Sequence, residues 1–108
     1  MSGMLFYTFI MNYAGGTYIS QVKAPSEKSA CVKWAQRLEV SQIQGLGPKG
    51  QASLIEQVKD DPPGPLDGTL NAWCTGAIVH GKFALINLVQ TNRKKATRRR
   101  ASKGRASA

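Results

Sequence analysis

The sequence contains few of the residues that build catalytic or metal sites, with one histidine and two cysteines among its 108 residues. Cys31 and Cys74 lie outside any CxxC motif and have no nearby histidine pair, which excludes the common zinc-binding patterns. One disulfide between them is an alternative, but we expect buried free thiols in a reducing compartment. His80 falls at a predicted turn, where we expect a solvated side chain, because a general base needs a nucleophile and an orienting partner nearby.

Long hydrophobic runs are also missing from the sequence. No stretch reaches the roughly 18 apolar residues that a membrane-spanning helix needs. The N-terminal apolar run from Met4 to Tyr13 has no basic flank and no small-residue cleavage site, which distinguishes it from a signal peptide. We therefore expect no membrane association and a cytoplasmic location.

Acidic residues do not occur in the last sixteen positions, which hold eight of the fifteen basic residues. These eight are Arg93, Lys94, Lys95, Arg98, Arg99, Arg100, Lys103 and Arg105. Such a composition cannot bury a core, so we expect residues 92–108 to form a flexible basic tail. Against DNA or RNA this tail would neutralise up to eight phosphates without sequence preference. A solubilising extension with no dedicated target explains the same composition equally well.

The best-marked structural element is a hairpin over residues 72–91. His80 and Gly81 separate two apolar runs and tolerate positive φ, so they suit a two-residue turn that pairs Val79 with Lys82 and Trp73 with Leu88. One face of the hairpin then holds Trp73, Thr75, Ala77, Ala84, Ile86 and Leu88, and the other holds Cys74, Ile78, Phe83, Leu85 and Val89. Because both faces are mostly apolar, we expect a central strand pair whose second face meets helices or another subunit.

A second hairpin is predicted near the N-terminus. Gly15 and Gly16 form its turn in our interpretation, which pairs Tyr13 with Tyr18 and places Phe9 opposite Val22 on the core side. The other side carries Thr8, Ile10, Asn12, Ile19, Gln21 and Lys23, a mixture typical of a partly solvated face.

Two helices are predicted between the hairpins. Ser26 is a helix N-cap, and an apolar stripe that includes Trp34 continues toward Val40; we expect Trp34 to fill the core. Pro48 suits the first position of a second helix that ends at about Lys59. The segment from Asp60 to Pro65 is then predicted to be a stiff linker.

The element order is therefore β-β-α-α-β-β, which predicts a two-layer α+β fold: a four-stranded, mainly antiparallel sheet with two helices on one face, in a single domain over residues 4–91. The strand, glycine turn, strand and capped helix over about residues 6–38 resemble the antitoxin of the HicA and HicB pair. That family has an additional strand before its helix, and the resemblance supplies no site residue here.

Polar and aromatic residues converge at one further place, where Asp67, Asn71 and Trp73 form a candidate pocket. Packing at the start of a strand explains the same residues more simply. The adjacent Asp60 and Asp61 are better explained as a solvated helix end than as a metal or acid pair. We therefore expect no enzyme activity, no metal and no cofactor.

Two functions remain as hypotheses. In the first, the protein is a non-enzymatic binding module that contacts a protein partner, or itself, through the 72–91 hairpin and contacts DNA or RNA through its tail. In the second, it is an immunity- or antitoxin-type protein whose body blocks a cognate partner, and the tail is incidental.

Overall fold

A computed structural model describes residues 4–91 as one sheet with helices against it. The elements are β1 (Leu5–Tyr13), β2 (Gly16–Ala24), α1 (Glu27–Gln36), a 3₁₀ turn (Val40–Gln42), α2 (Gly47–Asp60), β3 (Gly64–Pro65), β4 (Ala72–Val79) and β5 (Lys82–Thr91). The strands lie in the order β2-β1-β5-β4-β3, and all pairs are antiparallel. The predicted α+β fold is thus confirmed, with β5 at the centre of the sheet.

The sheet has five strands, so the predicted number of four was wrong. The additional strand is β3, which pairs Gly64 with Cys74 and Pro65 with Trp73. Its two residues lie in the segment predicted to be a linker, and so short a strand has no alternation of apolar and polar residues that could reveal it. Proline is compatible with this position because β3 is an edge strand.

The register of the second hairpin is as predicted. Val79 pairs with Lys82 and Trp73 pairs with Leu88, while His80 and Gly81 take φ values of 54° and 76° in the turn. Two consecutive positive φ values are the signature of a type I′ turn, whose twist matches that of the strands.

The register of the first hairpin differs from the prediction by two places. Its turn residues are Ala14 and Gly15, with φ values of 51° and 84°, and Tyr13 pairs with Gly16. Gly16 lies within the strand instead, under the ring of Tyr18, where a Cβ atom would lie 2.5 Å from the phenol oxygen. A shift of two preserves the alternation of faces, so the predicted core side of this hairpin is correct.

Both helices pack on the same side of the sheet, which we call the inner face. Ser26 caps α1 as predicted, and its hydroxyl oxygen accepts a hydrogen bond from the Ser29 backbone N–H at 3.2 Å. The helix ends at Gln36 rather than near Val40, because the chain turns into the 3₁₀ segment. Trp34 fills the core as expected, stacked on Phe9 with ring centroids 4.9 Å apart.

The helix α2 covers the other half of the inner face. It extends from Gly47 to Asp60 and buries Leu54 and Val58 completely. Gly50 permits its close approach to β4, since a Cβ atom there would lie 2.9 Å from His80 Nε2 and 3.1 Å from Val79 Cγ1. With both helices on the inner face, the described residues leave the outer face of the sheet uncovered.

Candidate binding surface

The outer face of the sheet is the most extensive uncovered surface that the strands form. It comprises the outward residues Phe6, Thr8, Ile10, Asn12, Thr17, Ile19, Gln21, Lys23, Ala72, Cys74, Gly76, Ile78, Phe83, Leu85, Asn87, Val89 and Thr91. We call these residues the open face. The hairpin prediction placed Ile78, Phe83 and Leu85 here correctly, but no element of the described chain covers them.

Apolar residues cross the open face as a diagonal stripe from β4 to β2. Its members are Ile78, Phe83, Leu85, Ile10 and Ile19, which we call the apolar stripe. The ring of Phe83 lies above Gly76, where a Cβ atom would approach it to 2.7 Å, and Phe83 is also the cross-strand neighbour of Ile78. The exposed fractions of Phe83, Ile78 and Ile19 are 57%, 55% and 66%. Such exposure of large apolar side chains on neighbouring strands is typical of a protein-binding surface.

Hydrogen-bonded polar residues flank the apolar stripe. Thr8 Oγ1 lies 3.1 Å from Thr91 Oγ1 and accepts a hydrogen bond from Gln21 Nε2 at 2.9 Å. At the turn end, Thr17 donates to the Asn12 side chain at 2.8 Å. These side chains satisfy one another across the strands, so a partner can cover them at a low desolvation cost.

Charge is nearly excluded from the open face. Within the described strands, Lys23 is its only charged residue, and the Lys23 ammonium lies 5.5 Å from the centre of the Phe6 ring. The six acidic residues lie on the helices and loops, at Glu27, Glu39, Glu56, Asp60, Asp61 and Asp67. A phosphate backbone would find one cation on this face, whereas an apolar protein surface would find little charge to desolvate.

The candidate pocket residues occupy the loop and the strand that follows it. Asp67 is exposed in the loop before β4. Asn71 bonds to the backbone of Gln90, accepting from its N–H at 2.8 Å and donating through Nδ2 to its carbonyl at 3.2 Å. Trp73 is half-buried, with its ring edge-on to Tyr7 at 5.9 Å between centroids. Asn71 and Trp73 thus make the contacts expected of residues at the start of a strand.

His80 has a structural contact. Its Nε2 atom lies 2.9 Å from the carbonyl oxygen of Leu46, beside the backbone of Gly50. This contact ties the tip of the second hairpin to the start of α2. The predicted solvated side chain was therefore only partly correct, because the ring reaches back from the exposed turn to the helix layer.

The two cysteines lie on opposite sides of the sheet and are free thiols. Cys31 lies on α1 and is buried, whereas Cys74 belongs to the open face and is half-buried. Burial, with a smaller contribution from the negative charge of Glu27, raises the pKa of the Cys31 thiol to about 12. The same two causes, in the same order, raise the pKa of the Tyr7 phenol. Cys31 is therefore a packing residue, because the reactive thiolate form is suppressed.

Two glutamines of α2 make contacts that the sequence did not reveal. Gln51, which helical spacing places on the same side of α2 as Leu54 and Val58, donates through Nε2 to the carbonyls of Ala35 and Gln36 at the end of α1, at 2.9 and 3.2 Å. Gln57 binds both backbone groups of Ile78 on β4: its Oε1 accepts from the N–H at 2.9 Å and its Nε2 donates to the carbonyl at 2.7 Å. The sequence signal that could have indicated the Gln51 contact is the position of a glutamine on the otherwise apolar side of the helix.

The basic residues predicted to contact nucleic acid, from Arg93 to Arg105, lie outside the described residues. Over residues 4–91, no group of three or more His, Cys, Asp or Glu side chains is placed to hold a metal ion. Over the same range, neither helix has the length and apolar content needed to cross a membrane. Comparison of the chain with protein-family models, curated proteins and solved structures gives no match.

Proposed function

We propose that this protein is a non-enzymatic binding module. Its folded body binds a protein surface through the open face, and residues 93–108 add nonspecific contact with DNA or RNA. The observation that carries the proposal is the separation of the two properties: the open face has one charged residue, while eight of the fifteen basic residues lie in one acid-free segment.

The size and composition of the open face favour a protein partner. Four strands about 4.8 Å apart, each about eight residues long at 3.3 Å per residue, give a flat area of roughly 500 Å². Its accessible area is larger because side chains roughen it, so it is of the same order as the roughly 800 Å² that each partner contributes to a standard interface. Phe83 and Ile78 supply the exposed apolar anchors that dominate the energy of such interfaces.

The tail composition favours a polyanion as its ligand. Neutralising up to eight phosphates releases counterions, so the logarithm of the binding constant for duplex DNA should fall against the logarithm of salt concentration with a slope of up to about −7. Since the rest of the chain has seven basic and six acidic residues, most of this salt dependence belongs to residues 93–108.

The proposed nucleic-acid binding is tested with the full chain and two tail variants. In one variant the eight basic residues after position 92 become glutamine, and in the other residues 93–108 are shuffled at constant composition. We expect fluorescence anisotropy with a labelled duplex to detect binding by the native and shuffled chains and none by the glutamine variant. Equal binding by the glutamine variant would remove the tail from the proposed function.

The proposed protein binding by the open face is tested at Phe83. Phe83→Asp places a charge in the apolar stripe, and Gln44→Asp introduces the same charge at an exposed loop position. We expect only Phe83→Asp to lose the protein contact, measured as retention of the purified partner protein. Indistinguishable behaviour of the two variants would contradict a role for the open face.

An immunity- or antitoxin-type function is the second candidate. It is favoured by the fact that the open face, with its single charged residue, lies wholly within the described body and includes no tail residue. In this case the glutamine tail variant retains full activity in cells, whereas Phe83→Asp loses it; the binding module with a nucleic-acid role requires both.

A further inference from the structure

The two edges of the sheet differ in the partners of their backbone groups. At the β4 edge, Gln57 binds the N–H and the carbonyl of Ile78, and Leu66 N–H donates to the carbonyl of Ala72 at 3.0 Å. Between them, β3 pairs with Cys74 and Trp73 and ends at Pro65, which has no N–H to offer a further strand. Strand addition at this edge is therefore blocked by the fold itself.

Among residues 4–91, no strand or side-chain hydrogen bond protects the β2 edge over residues 17–21. Because the turn contains two residues, Tyr13 and Gly16 form a hydrogen-bonded pair, and the backbone groups of Gly16 point toward β1. The direction alternates along the strand, so the odd-numbered residues that follow point their backbone groups away from β1. Thr17, Ile19 and Gln21 thus direct their N–H and carbonyl groups to the edge. The Lys23 carbonyl confirms this direction, since it accepts a hydrogen bond from Lys33 Nζ across the edge at 2.6 Å.

The exposed edge has the composition of a strand that accepts a partner. Within β2, residues 17–21 contain no proline and no charged side chain, and their pairing with β1 is continuous. A groove of about 310 Å³ runs beside them, between Thr17 to Ser20 on one side and Arg37 to Ile43 on the other. Edge strands without proline, charge or cover are the usual sites of β-strand addition.

We propose that a second copy of this chain binds here, with the two β2 strands antiparallel about a two-fold axis at Ile19. In this register Ile19 faces Ile19 of the other copy, and Thr17 faces Gln21. The pairing covers the 66% exposed Ile19 side chain and matches a hydroxyl with an amide. The ladder ends at Gln21, because the next outward carbonyl, that of Lys23, is already bound by Lys33.

The charges beside the groove fit a two-fold partner. Arg37 and Glu39 both line it and are both exposed. A two-fold axis places the same surface patch on both sides of the contact, so each copy brings one positive and one negative side chain and the charges of the contact balance. An unrelated peptide would have to supply both charges itself.

The dimer contact lies at the Ile19 end of the open face, away from Phe83. The dimer itself does not depend on the proposed function; only its consequence for binding does. Two copies paired in this way form one continuous sheet with both open faces on the same side. They also bring together two copies of the basic segment 93–108, which raises the affinity for a long polyanion without any new contact.

Disulfide trapping tests the register in the full chain with Cys74→Ser as background. Cα atoms of a directly paired, hydrogen-bonded position lie about 5.5 Å apart, within disulfide range, so Ile19→Cys should form covalent dimers on oxidation. Gln21→Cys is the matched control, since the two Gln21 positions are displaced by four residues, roughly 13 Å along the strands. Dimers from Ile19→Cys alone support the proposal; equal trapping of both variants, or of neither, overturns it.

A backbone variant separates this edge from the open face. Gln21→Pro removes an N–H that points out of the sheet, so the body should remain folded by circular dichroism. Loss of two interchain hydrogen bonds should weaken dimerisation by about tenfold or more in sedimentation velocity. Phe83→Ser should leave the dimer unchanged. If Phe83→Ser dissociates the dimer and Gln21→Pro does not, the contact belongs to the open face; this inference is then wrong and the proposed function is unaffected. If the dimer is intact but binds neither nucleic acid nor a protein partner, the proposed function is wrong and this inference stands.

Discussion

Replacement of Gln57 by methionine should lower the stability of the body by removing the side chain that occupies the β4 edge. Methionine has a similar length but cannot bond to the Ile78 N–H and carbonyl, which Gln57 reaches at 2.9 and 2.7 Å. Each neutral hydrogen bond contributes about 0.5–1.5 kcal/mol net, and water can partly replace these two exposed bonds, so we expect a loss of about 1–2 kcal/mol. For a domain of about 90 residues this lowers Tm by about 5–12 °C.

Thermal unfolding and amide exchange together measure this effect. The exchange rate of the Ile78 amide should rise selectively, because Gln57 supplies its acceptor. Gln36→Met is the control, an exposed helical glutamine whose replacement should change stability by less than about 0.5 kcal/mol. An unchanged Tm together with unchanged protection at Ile78 would refute the assignment of Gln57 as an edge-blocking residue.

Two further changes have defined outcomes. Ala14→Asn should raise the free energy of unfolding by about 1 kcal/mol in urea denaturation, because Ala14 holds φ at 51° and asparagine tolerates this region better; equal or lower stability would contradict backbone strain at this turn. For Cys31, the raised pKa means that its contribution is complete below the unfolded value near 9 and is lost as the pH rises toward about 12. Cys31→Ala should therefore reduce the alkaline loss of stability between about pH 9 and 12, and the same pH profile in both proteins would argue against a suppressed thiolate.

Local sequence patterns predicted the register of a hairpin correctly where only one position suited the turn. His80 and Gly81 are the only residues between the last two apolar runs that suit a type I′ turn, and the register followed from them. At the first hairpin Gly15 and Gly16 offered an alternative turn, whereas in the structure Ala14 and Gly15 form the turn and Gly16 lies in the strand beside the Tyr18 ring. The strand β3 was not predicted because it has only two residues and is defined by its pairing with β4, which follows it in the chain.

The open face could be predicted as a set of residues but not as an uncovered surface. Alternation placed Ile78 and Phe83 on the same side of the hairpin, and an apolar side normally indicates cover. Whether a helix, a second copy or another protein supplies that cover depends on the side to which α1 and α2 turn, which is a property of the whole chain. The contact between Gln57 and Ile78, residues 21 positions apart, could not be predicted for the same reason, because it depends on where α2 packs against the sheet.

The pairing of β1 with β5 links the beginning of the described chain to its end, since Phe6 lies opposite Thr91. The middle strand of the sheet is thus the last of the described strands to leave a ribosome, and β1 and β4 have no strand between them until it arrives. A nascent chain stopped before Lys82 would expose β1 and β4 as two unpaired edges. Folding of the body is therefore expected only after β5 has been synthesised, and donor and acceptor dyes near positions 6 and 91 would report it as a single rise in energy transfer.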